Sequence, residues 1–245
     1  MTAILLSFAT LFSTVAGGLF ALKFRDRLHF VLSFSAGVLL GVVSFDLLPE
    51  IFQLARAQAV APTGALIALM VGFLLFHAIE KLVLVHHTHE TAYAVHHHPR
   101  VGLLSALALA GHSVMDGVGI GLGFQASPAV GMVVALAVIA HDFCDGLNAV
   151  GLMLVHGNTE RRSLTMLAVD AVAPVVGAAS TLLFRVPPSV LMLFLGFFAG
   201  FLLYISASDI LPEAHSQSRP AVTMTLIALT CLGAVFIFVA VHVLT

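Results

Sequence analysis

The sequence predicts an all-α polytopic membrane protein, and its composition and hydropathy pattern carry that prediction. Of the 245 residues, 60% are hydrophobic and only 9% are charged, whereas a soluble domain has about 25% charged residues. The mean hydropathy is +1.10. Apolar stretches of about 20 residues, the length of a helix that crosses a bilayer, recur eight times. They lie at residues 2–22, 30–52, 63–85, 101–125, 128–155, 163–184, 188–213 and 221–244. We therefore expect eight transmembrane helices in a lipid bilayer.

The charged residues exclude one class of partner and indicate an orientation. The net charge is −2 and the chain has ten Lys and Arg residues, so no broad basic surface is available to a nucleic acid. Eight of these ten lie in or near the odd-numbered connections between spans, and two near the even-numbered ones. Because cytoplasmic loops carry the excess of Lys and Arg, we expect both termini on the non-cytosolic side. The membrane that we expect is a bacterial inner membrane, with an organelle membrane as the alternative.

An internal repeat predicts how the spans are arranged. Residues 35–50, SAGVLLGVVSFDLLPE, align without a gap on residues 198–213, FAGFLLYISASDILPE, and eight of the sixteen positions are identical. The two segments fall in the second and seventh spans, which run in opposite directions, as in the inverted repeats of secondary transporters. We therefore predict a 3+2+3 arrangement in one transmembrane domain. Its parts are repeat one at 1–85, a histidine-rich cytosolic loop at 86–100, central helices at 101–155 and repeat two at 163–245.

A short motif, H-x-x-x-D-G, occurs once in each of the two central spans. It comprises His112 and Asp116 in span four, and His141 and Asp145 twenty-nine residues later in span five. Residues at i and i+4 lie on one face of a helix, so two such helices facing each other would form a four-ligand cage for a cation. Mixed nitrogen and oxygen ligands suit Zn²⁺, Fe²⁺ or Mn²⁺ better than Ca²⁺ or Mg²⁺. The alternative is a hydrogen-bonded polar seam that only holds the helices together.

Acidic residues at membrane depth favour the cation hypothesis. Each costs about 3 kcal/mol on insertion scales, and ionisable residues in spans mark ion pathways by default. The basic residues all lie in loops or near span ends, so the acids must be neutralised by protons, by a water-filled cavity or by bound cations. The six acids are Asp46, Asp116, Asp142, Asp145, Asp170 and Asp209.

With these motifs in place, the sequence resembles the ZIP family of zinc and iron transporters, as a divergent bacterial-type member. The family's fourth-span motif of H-N-x-P-E-G type corresponds here to residues 112–117, HSVMDG, and its fifth-span motif to residues 141–146, HDFCDG. The second-span LLPE, the seventh-span LPEAH and the histidine-rich loop also fit. The resemblance implies eight spans and a first metal site of His112, Asp116, His141 and Asp145. It further implies an adjacent second site of Ser113, Asp142 and Asp170, which would share Asp116 and Asp145.

The chain departs from the family motifs at several positions. Met115 and Cys144 replace the family's prolines, Asp replaces Glu in both motifs, and Ser113 replaces Asn. The two sulfur atoms are candidate soft ligands that would favour Cu(I) or Zn²⁺. Alternatively, the two side chains only fill space in the core.

The predictions for residues outside the central spans are less specific. We expect an acidic pathway at the two ends of the site, although D-x-L-P-E could instead end a helix at the interface. Its candidate residues are Asp46, Glu50, Asp209, Glu213 and His215. The loop has six histidines that suit loose metal capture, or it is a solvated linker. These are His86, His87, His89, His96, His97 and His98.

The expected function is movement of a divalent metal ion, as transported substrate, toward the cytosol by alternating access. Zinc is the first candidate, and iron, manganese and cadmium stay open, as does a homodimer. The rival hypothesis is an intramembrane zinc-dependent hydrolase, for which Ser113 and Asp142 lie beside the ligands. Against it, the chain has no H-E-x-x-H motif and no obvious spare carboxylate for a general base. Because these two features speak against the hydrolase, we expect that the protein is not an enzyme. A purely structural membrane protein is disfavoured by the uncompensated acids.

Overall fold

The regular elements in the described part of the chain are all helical. The computed structural model describes residues 2–23, 28–88, 99–215 and 220–244. These ranges contain the α-helices α1 (Thr2–Lys23), α2 (Leu28–Val42), α3 (Leu48–Ala57), α4 (Thr63–Thr88), α5 (Pro99–Ala126), α6 (Pro128–Val155), α7 (Glu160–Ser180), α8 (Pro188–Tyr204), α9 (Leu211–His215) and α10 (Pro220–Leu244). Two π-helical turns, Val43–Leu47 and Ile205–Ile210, join α2 to α3 and α8 to α9. The described helices therefore form eight continuous rods.

The number of rods confirms the predicted fold class. Seven helical segments are long and apolar enough to cross a membrane, by length and composition, and α4 adds a shorter apolar segment at Thr63–Ile79. The largest difference from the predicted spans is at the second rod, which continues to Ala57 instead of ending at 52. The chain is an integral membrane protein built of helices.

Two proline residues explain the π-helical turns. Pro49 and Pro212 follow the two π-helical turns closely in sequence. Proline has no N–H to donate, and its ring excludes the carbonyl four residues earlier, so the helix widens locally into a π turn. The alternative that D-x-L-P-E ends a helix does not apply to its first copy, because α3 continues after it.

The connection between α5 and α6 sets the depth of the two motifs. Ser127 is the one residue between these helices; its side chain accepts a hydrogen bond from the Val130 N–H at 3.1 Å, and Pro128 opens α6. Both features are typical of helix starts. His112 lies fourteen residues before the end of α5, and His141 thirteen after the start of α6. At about 1.5 Å per residue, both histidines lie roughly 20 Å from the connection, side by side.

Helix packing occurs in related pairs. The most extensive packing joins α1 to α6, α5 to α7, α2 to α10 and α4 to α8. In the predicted repeat, α1 corresponds to α7 and α5 to α6, so the pair α1–α6 is equivalent to the pair α7–α5. In the same way, α2 corresponds to α8 and α4 to α10, so the pair α2–α10 is equivalent to the pair α8–α4. This is the packing that an inverted repeat requires. The division of the repeats at 1–85 and 163–245 stays a prediction.

Glycines bring the backbones of α5 and α7 into contact. A Cβ on Gly117 would clash with the Pro174 carbonyl oxygen, and a Cβ on Gly177 with the Val114 carbonyl oxygen. Gly17 and Gly146 make the equivalent contacts between α1 and α6. Small residues allow such close approach of membrane helices. Direct backbone contact therefore holds α5 to α7 and α1 to α6.

Gly117→Ala is expected to lower the free energy of unfolding by about 1–3 kcal/mol, because the added methyl overpacks a rigid backbone contact. The measurement is the Tm of the purified protein in detergent. Gly111→Ala is the matched control, since a Cβ at Gly111 meets nothing within 4 Å. An equal Tm for the two variants would contradict the proposed role of the close contact.

Candidate metal centre

Four side chains from α5 and α6 converge on one space. His112 Nε2 lies 3.0 Å from Asp116 Oδ2 and 3.6 Å from Asp145 Oδ2. His141 Nε2 lies 3.6 Å from Asp116 Oδ2 and 3.7 Å from Asp145 Oδ2. One ligand atom from each of the four residues lies within 4.8 Å of all the others. In a tetrahedral site with bonds of about 2.0–2.1 Å, neighbouring ligand atoms are about 3.3 Å apart, so the cluster could hold a metal ion.

The four side chains are removed from water. The side chains of Asp116 and His141 are 0% exposed, that of Asp145 is 6% and that of His112 is 9%. Apart from the contacts within the cluster, both oxygens of Asp116, Oδ2 of Asp145 and Nε2 of each histidine are buried without a hydrogen-bond partner. Burying a charge without compensation is costly. A positive charge among these atoms would remove that cost.

The hydrogen bond of His141 fixes which of its nitrogens faces the cluster. Its Nδ1 lies 3.0 Å from the Ala137 carbonyl oxygen. Because a carbonyl oxygen can only accept, Nδ1 carries the proton and Nε2 of the neutral ring has a lone pair. That lone pair faces carboxylate oxygens. Histidine ligands of metals are oriented in the same way, with the second nitrogen donating to the protein.

An aromatic ring from α8 covers the cluster on the His112 side. The rings of His112 and Phe201 are 4.6 Å apart between centroids, and Phe201 is fully buried together with its neighbour Phe198. The sequence reasoning did not single out these two residues. The repeat alignment could have indicated them, because Phe198 and Phe201 take the places of the smaller Ser35 and Val38.

The predicted second-site residues lie beside the cluster as hydroxyl and carboxylate pairs. The Ser113 hydroxyl lies 2.7 Å from Asp170 Oδ1 and 3.1 Å from the Leu109 carbonyl oxygen. Asp142 Oδ1 lies 3.8 Å from His141 Nε2. All three predicted residues are buried, and Asp142 Oδ1 and Asp170 Oδ2 have no hydrogen-bond partner. Each carboxylate therefore has one oxygen free to meet a cation.

The two sulfur residues have other neighbours. The Cys144 thiol donates to the Ser35 hydroxyl on α2 at 3.3 Å, and Met115 packs, partly buried, against the apolar core. The four-residue cluster contains no sulfur. Ligation by these atoms stays a prediction.

The candidate pathway residues are described only in part. Asp46 lies in the first π-helical turn, is 4% exposed and has an unpartnered Oδ2, and Glu50 is half-buried one turn later. His215 is half-buried, with Nδ1 2.9 Å from the Leu211 carbonyl oxygen. Asp209 and Glu213 have side chains outside the described part, as do the loop histidines.

Fold and site together define an integral membrane protein with a buried cluster of metal-ligating type near the middle of its helices. The sequence model of the ZIP zinc transporter family matches residues 86–240, more than half of the chain, and this region includes both motif helices. No curated protein gives a significant match. The chain belongs to the ZIP zinc transporter family, which consists of transporters of divalent metal ions.

Added Zn²⁺ is expected to stabilise the wild-type protein, because a ligand that binds only the folded state raises the free energy of unfolding, by about 2.7 kcal/mol at a hundredfold excess over Kd. The measurement is the Tm with and without the ion. Asp116→Asn keeps the side-chain shape but loses the charge, so its Tm should not respond to Zn²⁺. An equal response in both proteins would exclude the cluster as the binding site.

Proposed function

We propose that the protein moves a divalent transition-metal ion, zinc in the first place, through the cluster of His112, Asp116, His141 and Asp145. The observation that carries the proposal is the convergence of four buried ligand atoms that have no other partner. The two imidazoles would bind through Nε2, and the two carboxylates would supply oxygen ligands and negative charge. The net charge of a site with one divalent ion and two carboxylates is zero, which makes burial tolerable.

The mixed ligand set supports a choice among metals. Two nitrogens and two carboxylate oxygens suit zinc, and also iron, manganese and cadmium, whereas Ca²⁺ and Mg²⁺ prefer sites made only of oxygen. Transport also requires that the ion leave again, so the binding must stay moderate. Buried carboxylates that pair with hydroxyls next to the cluster offer such a transient second position. We assign this role to Ser113, Asp142 and Asp170.

We propose further acidic steps at the two ends of the path. Asp46 and Glu50 lie one turn apart, and Asp46 has a buried oxygen without a partner, which supports a weak cation contact there. By the internal repeat, the opposite end would use Asp209, Glu213 and His215. Ions would pass these residues before and after the central cluster.

The helix packing supports alternating exposure of the cluster. The helix pairs α1–α6 and α5–α7 touch through their backbones at glycines, whereas α8 and α2 meet the cluster region through side chains such as Phe201 and Ser35. Side-chain contacts can slide with less disruption than interlocked backbones. We infer that α1, α5, α6 and α7 move as one unit against the remaining helices.

The distribution of basic residues supports uptake in one orientation. With both termini on the non-cytosolic side, the histidine-rich loop would face the cytosol, where it could receive released ions. We propose a bacterial inner membrane as the location and movement toward the cytosol as the direction.

Uptake of Zn²⁺ into proteoliposomes is expected to fall to background in His112→Ala and in Asp145→Ala, because each variant loses one of four ligands. The measurement is accumulation of radiolabelled or dye-reported Zn²⁺. His242→Ala is the control, since His242 is exposed near the end of α10. Wild-type rates in both cluster variants would refute the site. Cleavage of a lipid or peptide without metal movement would instead support the hydrolase.

Competition between ions is expected to follow ligand chemistry. Excess Cd²⁺, Fe²⁺ or Mn²⁺ should slow Zn²⁺ uptake, whereas the same excess of Mg²⁺ or Ca²⁺ should not, because the cluster includes two imidazoles. The measurement is the initial rate of Zn²⁺ uptake at fixed Zn²⁺. Inhibition by Ca²⁺ as strong as that by Cd²⁺ would contradict the nitrogen ligation.

A further inference from the structure

Thr14, on the first helix, lies next to Asp142, one of the acids beside the metal cluster. Its side chain is buried, and its hydroxyl oxygen lies 3.4 Å from Asp142 Oδ2 and 3.0 Å from the Thr10 carbonyl oxygen. Neither the motifs nor the matched region 86–240 includes α1. A hydroxyl has one hydrogen to donate, and an ionised carboxylate is a stronger acceptor than a carbonyl. Thr14 is therefore suited to hold one oxygen of Asp142.

Backbone contacts keep this hydroxyl in place. A Cβ on Gly146 would clash with the carbonyl oxygen of Thr14 itself, and a Cβ on Gly17 would clash with the carbonyl oxygen of Phe143. Phe143 directly follows Asp142, so α1 and α6 touch immediately beside the hydroxyl and the carboxylate. A side chain fixed in this way can orient its partner with little loss of conformational entropy.

A second hydroxyl–carboxylate pair beside the cluster shows the same arrangement with the two groups exchanged between central and flanking helix. There Ser113 on α5 supplies the hydroxyl and Asp170 on α7 the carboxylate, 2.7 Å apart. The offset of twenty-nine residues between the two motifs places Ser113 and Asp142 at equivalent positions. In both pairs one carboxylate oxygen is within reach of a hydroxyl, and the other, Asp142 Oδ1 or Asp170 Oδ2, is buried without a hydrogen-bond partner.

We propose that Thr14 is a positioning residue for the transported ion. Its hydroxyl holds Asp142 Oδ2, so that Oδ1 is directed toward the cation beside His141. Without the hydroxyl, the carboxylate can rotate about its terminal torsion, and the oxygen that meets the ion is no longer fixed. This inference rests on the proposed transport function and extends the site to α1. The three helices that join α5 and α6 at the site then have different roles: α1 supplies a hydroxyl that orients an acid, α7 supplies the acid Asp170, and α8 covers the cluster.

The test compares Zn²⁺ uptake by Thr14→Val, Thr14→Ser and Thr10→Val in proteoliposomes. Thr14→Val keeps the shape but removes the hydroxyl, and should raise the KM for Zn²⁺ about tenfold or more, as loss of a hydrogen bond to a charged group predicts. Thr14→Ser should restore the wild-type KM. Thr10→Val is the matched control, because the buried Thr10 hydroxyl donates to the Ser7 carbonyl oxygen of its own helix at 2.9 Å.

A second measurement separates positioning from packing. Zn²⁺ binding in detergent is titrated for Thr14→Val in the wild-type and in the Asp142→Asn background. If Thr14 acts through Asp142, Thr14→Val weakens Zn²⁺ binding in the wild-type background and leaves it unchanged in the Asp142→Asn background. Equal KM values for Thr14→Val and Thr10→Val, or an equal loss of binding in both backgrounds, would overturn the role of Thr14. A wild-type protein that binds Zn²⁺ but transports none would overturn the proposed function instead.

Discussion

The burial of carboxylates among apolar helices is the constraint on which this structure depends. Five aspartates are buried in the described spans: Asp46, Asp116, Asp142, Asp145 and Asp170. The partners of the last four are imidazoles and hydroxyls, which are neutral groups or weak bases. Each carboxylate would lose several kcal/mol of hydration on burial, so the fold is tolerable only when positive charge joins these groups. A protein that carries divalent cations supplies that charge as its substrate.

The architecture brings the acids together by short and local means. The single residue between α5 and α6 makes these helices antiparallel neighbours, and the equal distance of both motifs from that connection places them at one depth. Glycine contacts then bring α1 and α7 against the outer sides of the motif helices. Because the contacts are between backbones, the flanking hydroxyl and carboxylate groups have little freedom. The four candidate ligands and the groups beside them are thus built on rigid elements.

The internal repeat is symmetric in its backbone packing and asymmetric in the side chains that meet the cluster. Phe201 lies over His112, whereas the aligned position in the first repeat is the smaller Val38. Phe198 aligns with Ser35, which accepts a hydrogen bond from Cys144. The two repeats therefore carry side chains of different size and polarity at aligned positions near the motif helices.

Much of this protein was determined by the sequence alone, because the signals were local. Hydropathy over about 20 residues located the eight rods, and the spacing of four placed each His and Asp on one helix face. The tertiary structure decided which faces meet: that the four ligand atoms share one space, that Cys144 is directed to Ser35, and that Thr14 and Phe201 reach the site. A helix that is apolar on all sides has no polar stripe to reveal its neighbours, since lipid and protein core are equally apolar. The close backbone contacts at glycines and the side chains of α2 and α8 select the neighbours instead.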